Sequence, residues 1–415
     1  MSVRSVTTIV IGGGQAGLAM SRELSQRGID HLVLERGRVG EAWHSRRWES
    51  LRLQTPNGEN GLPGQPYDGQ DPGGFMPASE FTNRLSDYAR AIDAPVVANT
   101  RVLGVTRRED GFDLTTDAGP YRSRMLVLAT GACAKPVVPA VANTAPFCVV
   151  HTTPAQYRRP SELPDGGVLV VGASASGVQL AAEIQASGRP VTLAVGNHLR
   201  LPRRYRGRDI EWWLDTIGAL DERFDDVDDV ERARRTPSPQ LTGWPHPVDL
   251  VALQDRGVAI VGRLMEIRDG RALFSGGLAN ACAAADLKLA RTRTRIDEWV
   301  AEHLPSAIIP APEPLVPTPV PAIPRLQLDL RSGEIATVVW ATGFRPDHSW
   351  LDLPVFDRRG RIDHHGGVVK GVPGLYALGL PFLRRRRSAL ISGAGPDARD
   401  LADHLQQRLG VRAAA

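Results

Sequence analysis

Two stretches of this chain carry small residues at the spacing that lets backbone amides close around a diphosphate. Gly12, Gly14 and Gly17 follow the apolar run Ile9–Ile11, and Gly172, Ser174 and Gly177 follow Leu169–Val171. The second set lies 160 residues after the first without a gap, and Glu23/Glu183 and Gly28/Gly188 keep the same register. In such a turn the first glycine permits the bend, the second lets backbone approach a pyrophosphate, and the third lets helix and strand pack closely. Gln15, Ala16 and Gly17 in one copy, and Ala175, Ser176 and Gly177 in the other, then open a helix whose free N–H groups and dipole hold phosphate. One glycine turn alone is weak. Two in register, each between a strand and a helix, imply two dinucleotide sites.

The copies differ where nucleotide choice is set. Glu35 follows Gly17 by 18 residues, at the end of the second strand, where a carboxylate can hold both hydroxyls of an adenosine ribose. That reads as FAD or NAD. The matching position after Gly177 is Val195, followed by Gly196 and Asn197, and then come Arg200, Arg203 and Arg204. With no carboxylate to repel a 2′-phosphate and three cations to pair with it, this copy reads as NADPH. Ser174, in place of the middle glycine, is expected to turn its side chain away from the pyrophosphate.

The elements that must position these turns follow from pattern. Each copy runs from a buried apolar strand through a helix of 3.6-residue apolar periodicity, and Gly28 or Gly188 ends that helix. The reading is an α/β protein of two Rossmann-like three-layer dinucleotide-binding domains, with parallel sheets and helices on both faces, the NADPH domain inserted into the FAD domain. The FAD domain is expected over residues 1–155 and 331–415, and the NADPH domain with a substrate-side insertion over 156–330. From Leu201, LPRRYRGRDIEWWLDTIGAL reads as an amphipathic helix at the NADPH rim, with Trp212 and Trp213 packed on the flavin domain or lining an entrance. The stretch after Glu302 carries Pro at short intervals and favours extended chain over helix.

These motifs resemble the FAD- and NADPH-dependent flavin-containing monooxygenases, including their bacterial and plant YUCCA-type members, over nearly the whole length. GEAWHSRRWESLRLQTP, Gly40 to Pro56, is similar to the segment that wraps the flavin, which implies roles for Trp43 and Arg52. LVLATGACAKPVVP contains Ala129, Thr130 and Gly131, and VVWATGFRPD contains Ala341, Thr342 and Gly343, both similar to the family's Ala-Thr-Gly elements. The final GLYALGLPFL and GAGPDARDLADHL resemble the strand and helix that close over the flavin, with Asp397 as a contact. Arg36 beside Glu35, and Val102, complete the expected FAD contacts. An Asn follows the Ser-Leu-x-Thr stretch in animal and yeast members; here Ser50-Leu51-Arg52-Leu53 leads to Gln54, with Thr55 and Asn57 as neighbours. Gln54 and Asn57 are therefore the catalytic candidates, Gln54 keeping an amide donor and acceptor on a longer arm. The linker fingerprint is partial: aligned on His151, Ala145 and Phe147 stand where Phe and Gly belong, and the Trp of Baeyer–Villiger members is missing. His151 itself reads as a hydrogen-bonded structural histidine.

The resemblance implies reduction of FAD by NADPH, reaction with O2, and transfer of one oxygen atom through a flavin C4a-(hydro)peroxide to an amine nitrogen, a sulfur or a carbonyl carbon of a small substrate. The alternatives are a flavin oxidoreductase or oxidase without oxygen transfer, and a non-enzymatic FAD-binding redox protein. Composition excludes other classes. The three cysteines, Cys133, Cys148 and Cys282, form no C-x-x-C, which argues against a redox thiol pair or a zinc site. A net charge of +4 is carried by arginines spread along the chain, with one cluster at Arg384 to Arg387 read as a solvated face, so no nucleic-acid partner is expected. No apolar run approaches the length of a membrane span, and a cytoplasmic protein is expected, a monomer or a homodimer.

Overall fold

The computed structural model describes residues 3–243, 246–305 and 308–410. β1 (Arg4–Ile11) bends at Gly12 into α1 (Gln15–Gln26) and returns as β2 (His31–Leu34). The chain continues through a helix, α2 (Ala78–Ala91), to β3 (Val96–Val97), β4 (Val102–Arg108), β5 (Gly111–Thr116) and β6 (Gly119–Leu128). The second unit holds β7 (Val150–Thr152), β8 (Gly167–Val171), α3 (Ala175–Ala186), β9 (Val191–Ala194), α4 (Ile210–Thr216), β10 (Ala259–Val261), α5 (Leu278–His303) and β11 (Ile335–Trp340). β12 (His364–His365), β13 (Val368–Val369), β14 (Leu375–Ala377) and α6 (Ala394–Leu409) close the chain.

The first sheet runs β12-β13-β14-β6-β1-β2-β3, parallel from β14 to β3. Side-chain alternation along β1 sends Val10, beside Val33 and Val127, toward α1 and α6, while Ile9 and Ile11 face the opposite layer. The second sheet is parallel throughout, in the order β10-β9-β8-β11-β7.

Two expectations change here. Among the described residues, helices do not cover both faces of either sheet. The second layer of the first domain is the β4–β5 hairpin with Leu351, Leu353 and Val355, and that of the other domain is a three-stranded antiparallel sheet over 264–268, 271–274 and 327–329. Short alternating strands bury one apolar side against a sheet as well as a helix does, and Val105, Phe112 and Leu114 do so in the first domain. The domain junctions also fall elsewhere by sheet membership. β7 begins at Val150, before the expected 155, and β11 reaches Trp340, past the expected 331, because both pair with the second sheet: Val339 lies opposite Val170 and Thr152.

The segment from Leu201 is half hairpin, Arg204–Tyr205 against Arg208–Asp209, and half helix, α4. Trp213 is fully buried against Tyr205 and α5 of its own domain, and its indole N–H donates to the Tyr205 carbonyl. Residues 308–326 carry no regular secondary structure, as the prolines require. Trp340 Nε1–H donates to His151 Nδ1 at 2.9 Å, so His151 acts as a structural acceptor in β7. Among the described residues no helix is long and apolar enough to cross a membrane.

Candidate functional site

The two glycine turns are built alike. Gly12 has φ of +112° and Gly172 +108°, a region L side chains rarely adopt, and a Cβ at either would collide with the carbonyl of Ala129 or Ala341. The two Ala-Thr-Gly elements are thus the facing walls of the two turns, Ala129-Thr130-Gly131 after β6 and Ala341-Thr342-Gly343 after β11, and the Thr342 hydroxyl donates to the Val137 carbonyl. A Cβ on Gly17 or Gly177 would strike the carbonyl oxygen of Gly12 or Gly172, so helix and strand approach as closely as glycine allows. Neither α1 nor α3 has a side-chain cap or an acidic residue in its first turn, which leaves the first N–H groups turned to an anion.

A Cβ built on Gly14 meets nothing within 4 Å. Gly14 (φ −88°, ψ −172°) and Ser174 (φ −84°, ψ −177°) share an extended backbone that any residue can adopt, so serine is tolerated at the second turn without strain. The matching backbone angles make the open direction beside Gly14 the one in which the Ser174 Cβ leaves the chain.

Glu35 is buried and fixed from two sides. Its Oε2 accepts from Gly13 N–H at 2.7 Å and its Oε1 from Gly37 N–H at 3.1 Å, which leaves one lone pair on each oxygen for ribose hydroxyls. Arg36 is exposed next to it, and the Val102 side chain is buried in the core below. Gln15 Oε1 accepts from Trp43 Nε1 at 3.3 Å, and Trp43 sits edge-on to Phe81 with Arg47 above it. An open phosphate cradle fits a dinucleotide diphosphate at each turn, and at the first a positioned carboxylate and a wall of ring and amide groups stand beside it.

Where the two domains meet, the catalytic candidates separate. Asn57 is buried with both functions committed: Oδ1 accepts from Met76 N–H at 2.7 Å and Nδ2 donates to the Asp71 carbonyl at 2.9 Å. It pins the 71–76 loop and is not placed to act on a substrate. Thr55 likewise donates to Asn60 Oδ1. The Gln54 side chain makes no hydrogen bond among the described residues, while its carbonyl accepts from Arg203 Nη1 of the second domain at 2.6 Å. Arg52 Nη1 donates to the Phe75 carbonyl at 2.6 Å, and Gly243 is pressed so tightly on Leu53 and Arg52 that no side chain fits there.

The three arginines expected around a 2′-phosphate are engaged elsewhere. Arg200 lies between Asp249 (3.1 Å) and Asp286 (2.9 Å) and also donates to the Val316 carbonyl. Arg203 pairs with Asp209 at 2.5 Å, besides its bond to Gln54, and lies over the Phe75 ring. Arg204 is exposed on the hairpin and bonds the Gly207 carbonyl. Asp397, expected at the flavin, is fully buried in the first turn of α6, with Oδ1 on Arg385 Nη1 at 2.7 Å.

Sequence inspection misses two features of this junction. The Arg384 to Arg387 run is a latch, not a solvated face. Arg384 and Arg385 hold Asp400 at 3.1 and 2.8 Å, Arg386 reaches Glu222 at 2.5 Å, and Arg387 binds Asp215 and Asp221 across the domain boundary. Glu211, in the first turn of α4, is buried and its carboxyl is pushed up to about 7 by burial, with Asp209 and Glu59 adding to the shift and Arg203 and Arg387 opposing it. Glu59 is raised too, by burial and by Asp215 and Asp209. Nothing in the local sequence brings Glu59 to Glu211.

Fold and site together define a two-dinucleotide oxidoreductase, in which one nucleotide domain is inserted into another. The family profile of the pyridine nucleotide-disulphide oxidoreductases matches residues 9–217, and the chain belongs to that family. It is 31% identical over 396 residues to the CzcO-like oxidoreductase of Geobacillus kaustophilus, covering 95% of this chain and 96% of that one. It is 25% identical to the indole-3-pyruvate monooxygenase YUCCA4 of Oryza sativa over 97% of this chain and 87% of that one. A flavin-containing monooxygenase from Stenotrophomonas maltophilia shares the fold at a TM-score of 0.70 with 20% identity, covering 98% of this chain and 100% of the other. The protein is thus an oxidoreductase of this two-dinucleotide family, using FAD and NADPH. Its three cysteines are free, Cys133 and Cys148 exposed and Cys282 buried.

Proposed function

We propose that the protein oxygenates a small soft nucleophile, an amine nitrogen, a sulfur or a carbonyl carbon, at the junction around Gln54. The observation that carries this is the junction itself. The Gln54 amide, which makes no hydrogen bond among the described residues, stands on a segment whose carbonyl accepts from Arg203 of the second domain, and this supports a reaction site where the two domains meet. Glu35, Gly14 and the first turn of α1 would hold FAD; Ser174 and the first turn of α3 would hold the NADPH diphosphate. Bound FAD supplies hydride acceptance and the activation of O2, chemistry no side chain here can perform.

The protein's own part is placement, exclusion of water and hydrogen bonding. Gly243 against Leu53 and the Arg203 bridge close the seam between domains, and the Gln54 amide donates to or accepts from the group that reacts. Glu211 and Glu59 line the seam as carboxyls that hold a proton more readily than exposed ones. The relatives named for monooxygenation support this reading. The test is anaerobic bleaching of the flavin with NADPH, then mixing with oxygenated buffer and a panel of amines, sulfides and ketones. Oxygenated product from labelled O2 is expected. Stoichiometric hydrogen peroxide with every substrate would instead make the protein an oxidase.

A further inference from the structure

The internal repeat locates the ribose pocket of the second site more exactly than the arginine spacing does. Glu35 N–H donates to the Val97 carbonyl at 3.0 Å, and Val195 N–H donates to the Val261 carbonyl at 2.9 Å, so β10 stands to β9 as β3 stands to β2. Two residues past Val97 is Asn99, whose N–H bonds the Gly37 carbonyl, and Thr100 N–H bonds the Glu35 carbonyl. The residue in the Asn99 position therefore borders the pocket that Glu35 forms. Two residues past Val261, that residue is Arg263.

Arg263 is exposed, and its side chain makes no hydrogen bond or ion pair among the described residues. Its stem crosses the turn after β9: a Cβ built on Gly196 would lie 3.8 Å from both Cγ and Cδ of Arg263. Its backbone is fixed, because its carbonyl accepts from Ser275 N–H at 2.8 Å. The turn is fixed as well, with His198 buried and its Nδ1 donating to the Gly196 carbonyl at 3.0 Å. A pocket without a carboxylate thus has the Arg263 stem across its turn, the guanidinium unpaired among the described residues, whereas Arg200 and Arg203 have carboxylate partners.

We propose that Arg263, arriving from the neighbouring strand, is the residue that recognises the 2′-phosphate of NADPH. This rests on the second turn being a nicotinamide-dinucleotide site, but not on oxygen transfer. A phosphomonoester dianion is the fitting ligand, since a guanidinium can meet two of its oxygens at once.

The test is calorimetric titration of the FAD-loaded protein with adenosine 2′,5′-bisphosphate and with adenosine 5′-monophosphate. Arg263→Ala should weaken the bisphosphate roughly ten- to hundredfold and leave the monophosphate unchanged, with Arg263→Lys between. The KM for NADPH should rise, that for NADH should hold, and kcat at saturating NADPH should stay. Unchanged bisphosphate affinity, equal loss for both nucleotides, or a selective loss in Arg204→Ala without one in Arg263→Ala would overturn the assignment. Selective loss in a protein that yields only hydrogen peroxide would keep Arg263 and overturn the oxygenation reading.

Discussion

The two nucleotide sites share a backbone and differ in what closes the ribose pocket. In the first, a strand-end carboxylate, Glu35, is oriented by Gly13 and Gly37 N–H groups. In the second, Val195 fills the same place, and among the described residues the following turn and the adjacent strand, with Arg263, bring polar groups to it. The lesson is that a duplicated turn preserves the phosphate cradle, which is made of backbone, while ribose choice rests on side chains that a neighbouring strand can supply.

The shared part is the harder to disturb without collapse. Gly17→Ala and Gly177→Ala each force a methyl into a carbonyl oxygen one turn away, and either should cost about 3 kcal/mol or more of stability. Thermal unfolding should show similar losses for both, and one variant that melts like the parent would break the equivalence of the two turns. The differing part gives site-specific effects. Glu35→Ala should weaken FAD by about 1–3 kcal/mol, measured on deflavinated protein, and leave NADPH binding intact.

The junction between the sites should respond to pH. Burial raises the Glu211 carboxyl in the folded protein to about 7 from an ordinary 4.5, so folding favours its protonated form. The resulting stability is complete below the unfolded value and is lost as pH rises through the folded one. The unfolding free energy from denaturant titration should therefore fall from about pH 5 to about pH 8 by on the order of 1–3 kcal/mol, and Glu211→Gln should flatten that slope. A slope unchanged in the variant would assign it to other groups. The smallest effect is expected at the latch: Arg387→Ala removes half-exposed pairs to Asp215 and Asp221 and should cost about 1 kcal/mol or less, shrinking further in high salt.

Much of this protein was legible in the sequence because its signals are local. The strand–turn–helix repeat, the glycines that no side chain can replace, and the contrast of Glu35 with Val195 are written within some thirty residues each, where backbone sterics decide the outcome. The extended proline segment and the structural role of His151 were legible for the same reason. What the tertiary structure decided is pairing over long range. Arg200 faces Asp249 and Asp286, Asn57 turns to the 71–76 loop, and the Arg384 to Arg387 run meets carboxylates on the inserted domain. β11 joins the second sheet, and Arg263 arrives over Gly196 from 67 positions further along the chain. A charged side chain takes the nearest opposite charge in space, and composition holds no record of which residue that will be.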